Sequence, residues 1–297
     1  MPPFSSGSAR PPRMTSGGLW PALVYETMRR AGFNITVRPR SYYPEIDDPE
    51  IEARLLRPQD MSRFVEKGVV DCGLTGNDWV AENRSRVHVV TELTYSKQSL
   101  TPYRWVIAVP ENSPIRTVKD LQGKRLSTEL VNVAVEFFRK ADVTVEVEFS
   151  HGATESKAPD LVDAIMDGTE TGASLRANKM RIIETVLVSR PQLIAADAAW
   201  ADPWKREKME SIAILLEGAL AARFKVGLKM NVSAENLDAV LKALPAMKKP
   251  TMSGLASGAG FALETIVDES VVRKIIPDLR RAGAEAIVEY PLNKVIP

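Results

Sequence analysis

Short apolar runs rich in β-branched residues alternate with amphipathic stretches from Gly17 to about Arg223. The apolar runs predict strands at Ile35–Val37, Ala53–Leu56, Val70–Leu74, Val87–Glu92, Tyr103–Val109, Arg125–Ser127, Thr144–Phe149 and Ile182–Ser189. Three-to-four spacing predicts helices at Leu19–Ala31, Asp60–Glu66, Asp78–Glu82, Val131–Lys140, Asp160–Met166, Leu175–Lys179 and Trp204–Ala222. Strands alternating with helices point to an α/β domain with largely parallel strands. A different order starts at about Phe224. There Lys225–Asn231, Thr251–Leu255, Gly260–Val267 and Ala286–Tyr290 read as strands, and Ala234–Leu244 and Ser270–Ala282 as helices. Ser233 is placed to cap the first of those helices. The resulting order, βαββαβ, is the ferredoxin-like arrangement. Residues 1–16, rich in Ser, Pro and Arg, show no apolar periodicity and read as a disordered tail.

A chain of 297 residues has room for two or three domains. Its net charge of +1 supplies no global field for nucleic acid or membrane, so any site for anions must be local. The single cysteine, Cys72, excludes an internal disulfide and a cysteine metal cluster, and fits a reducing compartment. No apolar run is long enough to span a bilayer. The first sixteen residues lack the apolar core of a secretory signal. The cytoplasm is the expected location.

Candidate chemistry concentrates in Ser150–Leu175, SHGATESKAPDLVDAIMDGTETGASL. Glu155, Asp163, Asp167 and Glu170 supply carboxylates, and Thr169, Thr171 and Ser174 supply hydroxyls. Gly168 and Gly172 allow tight turns and close approach of backbone to a ligand. A turn opening a helix presents free N–H groups to a phosphate, and nearby carboxylates suit sugar hydroxyls or a metal-chelated diphosphate. The combination reads as a ribose-phosphate site. The same residues also fit a helix ending in a Gly-rich turn with solvated acids, so composition alone leaves both open.

The order of motifs separates the two. Gly-Ala-Thr-Glu at 152–155, then Ala-Pro-x-Leu-x-Asp-Ala-Ile, then Thr-Gly-Ala-Ser-Leu-x-x-Asn, resembles ATP phosphoribosyltransferase, the first enzyme of histidine biosynthesis. Val70–Asp78, VDCGLTGND, resembles that family's Asp-x-Gly-Leu-Thr-Gly-x-Asp segment, and Leu121–Thr128, LQGKRLST, its Leu-x-Gly-Lys-Arg strand. The ending AGAEAIVEYPLNKVI is similar to the regulatory domain of the long-form enzymes. The resemblance runs in order from about Ala22 to Ile296.

The resemblance implies a bilobal catalytic domain of the periplasmic-binding-protein type over 17–223, followed by an ACT-like histidine-binding domain over 224–297. Lobe I would take about 17–103 and 187–223, and lobe II about 104–186, with crossings near Tyr103 and Val186. It implies transfer of the phosphoribosyl group of PRPP to N1 of ATP, with diphosphate leaving as its Mg²⁺ complex. Such chemistry needs positioning and charge management rather than a side-chain nucleophile. The sequence shows no Ser/His/Asp constellation and no dedicated protein cage for a metal. Asp163 and Asp167 would hold ribose hydroxyls or the metal shell. Thr169, Thr171, Gly172, Ala173 and Ser174 would cradle the 5′-phosphate, and Glu155 would reach the ribose side. Arg125 would neutralise diphosphate or triphosphate, with Arg57 a lesser candidate for the same task. Asp71, Thr75, Gly76 and Asp78, at a strand-to-helix turn, would meet ATP, although Asp78 also fits as a plain helix cap. Free histidine would bind as inhibitor around Thr251, Leu255 and Ser257, and the enzyme would be a homo-oligomer, a dimer or a hexamer. His88 reads as structural or exposed, and His151 as a minor candidate for substrate contact.

One departure stands out. The family opens with an apolar strand and a basic-glycine turn, where this chain has Pro11–Gly18, PPRMTSGG, poor strand material with Arg13 as the nearest cation. The position is expected either empty or filled by a makeshift strand over Arg13–Gly17. A defect there keeps a catalytically impaired regulatory homologue as the alternative. A solute-binding module of the same fold would bring a secretion signal or lipoprotein cysteine. A prephenate dehydratase would bring a Thr-Arg-Phe triplet, which this chain does not contain.

Overall fold

The structure, a computed structural model, describes residues 13–16, 21–93, 102–245, 250–256, 258 and 260–296. The chain divides into two compact units, one of residues 1–26 and 33–213 and the other of residues 27–32 and 214–297.

The first lobe begins with β1 (Arg13–Ser16), α1 (Pro21–Ala31), the short pair β2 (Ile35–Thr36) and β3 (Glu45–Ile46), and β4 (Glu52–Leu55). It continues with α2 (Pro58–Glu66), β5 (Cys72–Gly76), α3 (Asn77–Asn83) and β6 (His88–Glu92). The second lobe follows as β7 (Arg104–Pro110), β8 (Arg125–Thr128), α4 (Val131–Lys140), β9 (Glu146–Phe149), β10 (Ala164–Thr169), α5 (Ala173–Ala177) and β11 (Met180–Val188). The chain then returns through β12 (Pro191–Ala195), α6 (Asp197–Ala201) and α7 (Pro203–Ala222).

Each lobe is built on a five-stranded sheet, ordered β4-β1-β5-β12-β6 in the first and β11-β7-β10-β8-β9 in the second. In the first sheet β4, β1 and β5 run parallel and β12 runs antiparallel to β5 and β6. In the second, β10, β8 and β9 run parallel and β7 runs antiparallel to β10 and β11. The sheets are mixed rather than largely parallel, because a chain that crosses between lobes enters the next sheet in the reverse sense. The crossings lie between Glu92 and Arg104 and between Val188 and Pro191. They are tied together where the Ser189 N–H donates to the Tyr103 carbonyl at 2.8 Å. The C-terminal ends of the parallel strands therefore share one edge of each sheet with the crossings. Ligands of open α/β sheets bind outside that edge.

Burial explains the strands. The run Trp105–Val109 is buried on both faces of the second sheet. Trp105, Ile107 and Val109 pack with Leu126, Ala134 and Phe138 on one face. Val106 and Ala108 pack with Val162, Ile165 and Leu175 on the other. The segment expected as a helix at Asp160–Met166 is instead a loop leading into β10. Ala164, Ile165 and Met166 are all fully buried, so both faces need apolar residues, and a strand meets that need where an amphipathic helix cannot. A short apolar run of this kind is ambiguous by periodicity alone. Pro191–Ala195 is a further strand that the pattern did not separate from Ile182–Ser189.

The expected disordered tail over residues 1–16 is corrected at Arg13–Ser16, and residues 1–12 lie outside the described residues. Arg13–Ser16 forms β1 between β4 and β5, in parallel register with Glu52–Leu55 and Cys72–Leu74. The central position is filled by the makeshift strand. Unpaired edges on β4 and β5 would leave backbone groups unsatisfied, and that demand outweighs the poor strand propensity of RMTS.

The second unit carries β13 (Lys225–Ser233), α8 (Leu237–Ala243), β14 (Thr251–Gly254), β15 (Gly260–Asp268), α9 (Glu269–Arg281) and β16 (Ala284–Pro291). The sheet order is β14-β15-β13-β16 with all pairs antiparallel, which is the ferredoxin-like topology. Leu228, Met230, Leu263, Val272 and Leu279 form its core. The unit boundary falls at 213/214, ahead of the expected 223/224, because the second half of α7 belongs with this unit. There the Val295 N–H donates to the Gly218 carbonyl at 2.9 Å, and Lys294 Nζ donates to the Ala31 carbonyl at 2.9 Å.

Each N–H of β1 faces a neighbouring strand, so proline within it removes a ladder bond from the middle of a sheet. Thr15→Pro is expected to destabilise the protein by about 3 kcal/mol. Urea unfolding of the variant against the parent checks this, and equal midpoints would remove β1 from the folded sheet.

Candidate active site

At the C-terminal end of β10 the chain turns through Glu170–Gly172 into α5. Gly172, at φ +73°, is the residue before that helix, where an L side chain would be strained. The Gly172 N–H donates to Thr169 Oγ1 at 2.8 Å, and Thr169 is buried. The Ala173 N–H donates to Thr171 Oγ1 at 3.3 Å, and Arg176 Nη1 donates to the Thr171 carbonyl at 2.8 Å. Ser174 Oγ donates to the Glu155 carboxylate. Asp167 Oδ1 accepts from the Gly168 N–H at 2.7 Å. Glu155, Asp167, Thr169, Thr171, Gly172, Ala173 and Ser174 are thus brought together. Their tasks differ: Thr169 and Gly172 are buried and build the loop, while Thr171, Ala173 and Ser174 are exposed on its surface.

Glu155 is held by a turn of its own. Ala153 adopts a left-handed backbone at φ 49° and opens a 3₁₀ turn over Thr154–Ser156. Ser150, Thr154 and Ser127 are buried beneath it. Ser150 Oγ and Thr154 Oγ1 lie 2.8 Å apart, and Lys157 Nζ donates to Ser150 Oγ at 2.7 Å and to Ser127 Oγ at 3.3 Å. One ammonium thereby joins β8, the end of β9 and the turn that carries Glu155. His151 is exposed beside this turn and meets Phe149 edge to face at 4.7 Å.

Burial pushes the Asp167 carboxyl up to about 6, opposed by the Gly168 N–H and reinforced by the negative charges of Glu155 and Glu129. Tyr103 stands beside the same loop, and its phenol is raised by burial and by Asp167, Asp78, Glu129 and Glu170. Neither Tyr103, Glu129 nor Lys157 was found by sequence reasoning. Tyr103 reads as an ordinary strand residue, and only the antiparallel pairing of β7 with β10 places it beside Gly168.

Strand direction separates the other expected residues. Asp163 and Arg125 precede β10 and open β8, at the opposite edge of the sheet from Thr169, about 13–20 Å away at ~3.3 Å per residue. Asp163 Oδ2 accepts the Arg125 N–H at 2.9 Å, and its carboxylate lies 3.9 Å from Arg125 Nε and 4.0 Å from Lys124 Nζ. The pair ties two strand starts together and is not part of the loop site, so their assignment as catalytic residues is corrected. Asp71 has the same fault: it precedes β5 at the far edge of the first sheet and bonds Lys205 at 2.8 Å.

Asp78 is 3 % exposed and its carboxyl is committed, Oδ1 to the Trp79 N–H at 2.9 Å and Oδ2 to Trp105 Nε1 at 2.8 Å. It is neither a ligand contact nor the N-cap, which is Gly76, but a tie from the first lobe to the second. Glu82, on the same helix, accepts the N–H groups of Asn132 and Val133 at 3.1 and 3.0 Å, capping α4 of the other lobe. Thr75 is buried and directs its hydroxyl at the Pro58 carbonyl, 3.4 Å away. Gly76 stays at the inner edge, as does exposed Arg57 just after β4. Cys72, fully buried in β5, has its thiol pushed up to about 12 by burial and Asp71, and is inert at neutral pH. His88 stacks on Trp200 with ring centres 4.0 Å apart.

In the second unit Thr251 is exposed on the edge strand β14, and Leu255 begins the turn into β15, with the Gly258 N–H donating to its carbonyl at 2.9 Å. Ser257 lies outside the described residues. No helix among the described residues is long and apolar enough to cross a membrane.

Comparison with known proteins shows the family. Residues 57–218 match the family described as ATP phosphoribosyltransferase, and residues 222–294 match the family described as the HisG C-terminal domain. An ATP phosphoribosyltransferase of Chlorobaculum parvum is 54% identical over 91% of this chain and 92% of its own. One of Solibacter usitatus is 56% identical over 91% of this chain and 94% of its own. Among solved structures, the ATP phosphoribosyl transferase (HisG:HisZ) complex from Thermotoga maritima shares the fold, with a TM-score of 0.57 at 23% identity over 69% of this chain and 95% of that one. The chain belongs to the ATP phosphoribosyltransferase family, the pentosyltransferases that catalyse the first step of histidine biosynthesis.

Proposed function

We propose that the C-terminal end of β10 binds PRPP and that the facing edge of the first sheet receives ATP. The observation that carries this is the convergence of Glu155 and Asp167 on the preformed Thr169–Ser174 loop. In the reaction the C1′–N1 bond to adenine forms as the C1′–O bond to diphosphate breaks. Positive charge develops on the sugar, and fixed carboxylates stabilise it. Asp167 and Glu155 would accept from the ribose hydroxyls and face that charge. Thr171 would donate to the 5′-phosphate beside the backbone of Ala173, and Ser174 would join it by turning its hydroxyl from Glu155 to the phosphate. Gly76 and Arg57 would face ATP.

Asp167 and Glu155 offer hard oxygen donors of the kind Mg²⁺ takes. Among the described residues no group of three or more His, Cys, Asp or Glu is placed to hold a metal. We infer that Mg²⁺ arrives as the diphosphate complex of PRPP and neutralises the leaving group. The ferredoxin-like unit, with Thr251 and Leu255 at its β14–β15 end, would bind histidine as inhibitor. A cytoplasmic homo-oligomer, dimer or hexamer, fits that regulatory role.

Thr171→Ala should weaken PRPP by about 1–3 kcal/mol through loss of a charge-assisted donor. Asp163→Asn should leave PRPP affinity unchanged. Calorimetric titration decides, and the reverse ranking would relocate the site to the other edge of the sheet.

Asp167 titrates near 6 in the folded protein and near 3.8 when unfolded. The folded state therefore binds more protons between those values, and stability declines as pH rises through that window. Asp167→Asn should stabilise the protein at pH 7.5 by about 1–3 kcal/mol, a gain that fades below pH 4, while PRPP binding falls. Thermal melts across pH measure the first effect. A variant equally stable at all pH values would deny the buried carboxylate.

Thr251→Trp, on an exposed edge strand, should blunt histidine inhibition without changing turnover at saturating substrate. Unaltered inhibition in a histidine titration would place the effector elsewhere.

A further inference from the structure

We propose that Tyr103 is a further substrate-binding residue of the transfer reaction, its hydroxyl donating to an anionic oxygen of the phosphoribosyl donor. The proposal rests on the reading of Thr169–Ser174 as the PRPP loop.

Position comes first. Tyr103 immediately precedes β7, whose Arg104 pairs with Thr169, so the residue stands at the ligand edge of the sheet although its strand runs the opposite way. Its backbone is pinned there, because its carbonyl accepts the Ser189 N–H of the second crossing. Its ring meets Trp105 edge to face, with centres 6.2 Å apart. Trp105 in turn is fixed by the bond from its indole to buried Asp78. The ring is thus held from both lobes.

Gly168 shows where the hydroxyl lies. A Cβ at this residue would come 1.9 Å from the phenol oxygen, so only glycine admits the tyrosine. The oxygen is thereby set over the residue between Asp167 and Thr169. The ring carbons lie as close, Cζ at 2.4 Å and Cε1 at 2.7 Å from such a Cβ, so the gap at Gly168 seats the whole phenol end of the ring and fixes the hydroxyl beside the loop.

The chemistry fits an anionic ligand. Asp167, Asp78, Glu129 and Glu170 all bear on the phenol, which keeps its proton throughout the neutral range. Arg176, on the loop, and Arg104, opposite Thr169, offset part of this charge, and neutral donors and substrate-borne cation offset the rest. Lys157 has Ser150 and Ser127 as its partners. A protonated phenol supplies a donor without adding charge to the site.

Tyr103→Phe and Gly168→Ala in the full chain test the proposal, with Asp167→Asn and Thr171→Ala as references. The readouts are calorimetric PRPP affinity, KM for each substrate and the melting temperature. Tyr103→Phe should raise Kd and KM for PRPP roughly tenfold while KM for ATP changes by less than about twofold. Its melting temperature should stay within a few degrees. Gly168→Ala, which displaces the ring, should reproduce the PRPP loss, and combining the two should add little to Tyr103→Phe alone. PRPP affinity unchanged in Tyr103→Phe but weakened in the reference variants would overturn the proposal and leave the donor site standing. Equal losses for PRPP and ATP would also overturn it, by assigning Tyr103 to the crossing alone. Unchanged affinity in all variants would remove the donor-site reading, and this proposal with it.

Discussion

A buried carboxyl on one lobe is closed by an indole on the other, and much of the catalytic half depends on that pairing. Asp78 sits in the first turn of α3, sealed from solvent, with its second oxygen satisfied by Trp105 of β7. Leaving such an oxygen without its donor costs about 1–3 kcal/mol, and more when it carries charge. The same helix commits Asn77 to the return crossing, where the Arg190 N–H donates to Asn77 Oδ1 at 2.8 Å, and Glu82 to the start of α4. Trp79 adds its ring to the apolar core of the second lobe. Helix α3 belongs to the first lobe by sequence, and Asn83 holds it there through Gln59 and Ser62, yet Asp78 and Glu82 serve the second. The lobes are thereby set with their strand ends facing, which is what a two-substrate transfer requires of a bilobal scaffold.

Strand direction then sorts the acids by task. Carboxylates at strand starts, Asp71 and Asp163, find lysine or arginine partners within their own lobe. At the strand ends of the second lobe the carboxylates Glu129, Glu155, Asp167 and Glu170 crowd one another, whereas Glu92 at the end of β6 in the first lobe has Arg190 3.6 Å away. Burial, reinforced by the charges of Glu155 and Glu129, raises the pKa of Asp167. A folded protein gains nothing from such crowding. It persists where a ligand with hydroxyls, bound cation or developing positive charge answers it. This contrast between paired and unpaired acids distinguishes the site from the sheet's structural edge.

Much of this was legible in the sequence. The motif order identified the family, and apolar runs located most strands and the βαββαβ unit. The loop from Thr169 to Ser174 was legible because glycine, hydroxyl and acid fall within a few residues. Asp163 was misplaced because Asp160–Met166 was read as a helix running up to Asp167, and Arg125, read as opening a strand, was misplaced because the direction of that strand relative to the loop was not legible. In a strand Asp163 and Asp167 stand at opposite ends. Central burial, which decides between these readings, is a property of the neighbours in the sheet and not of the run itself. Ser174 meeting Glu155 and Gly168 meeting Tyr103 were invisible for a similar reason: each joins segments that only the sheet order brings together.

The makeshift β1 shows how much the neighbours dictate. RMTS has little intrinsic reason to extend, but β4 and β5 leave a slot whose backbone groups need partners. A short segment of almost any composition without internal proline can satisfy that ladder. Side-chain chemistry at the strand's C-terminal end is a separate matter, since the ladder selects for backbone and not for charge. The sheet can therefore be complete around a strand of unfamiliar sequence, while the Thr169–Ser174 loop of the second lobe keeps its hydroxyls and carboxylates together. Architecture and chemistry in this chain thus answer to different constraints: the first is enforced by pairing across the sheet, and the second by which residues reach its ligand edge.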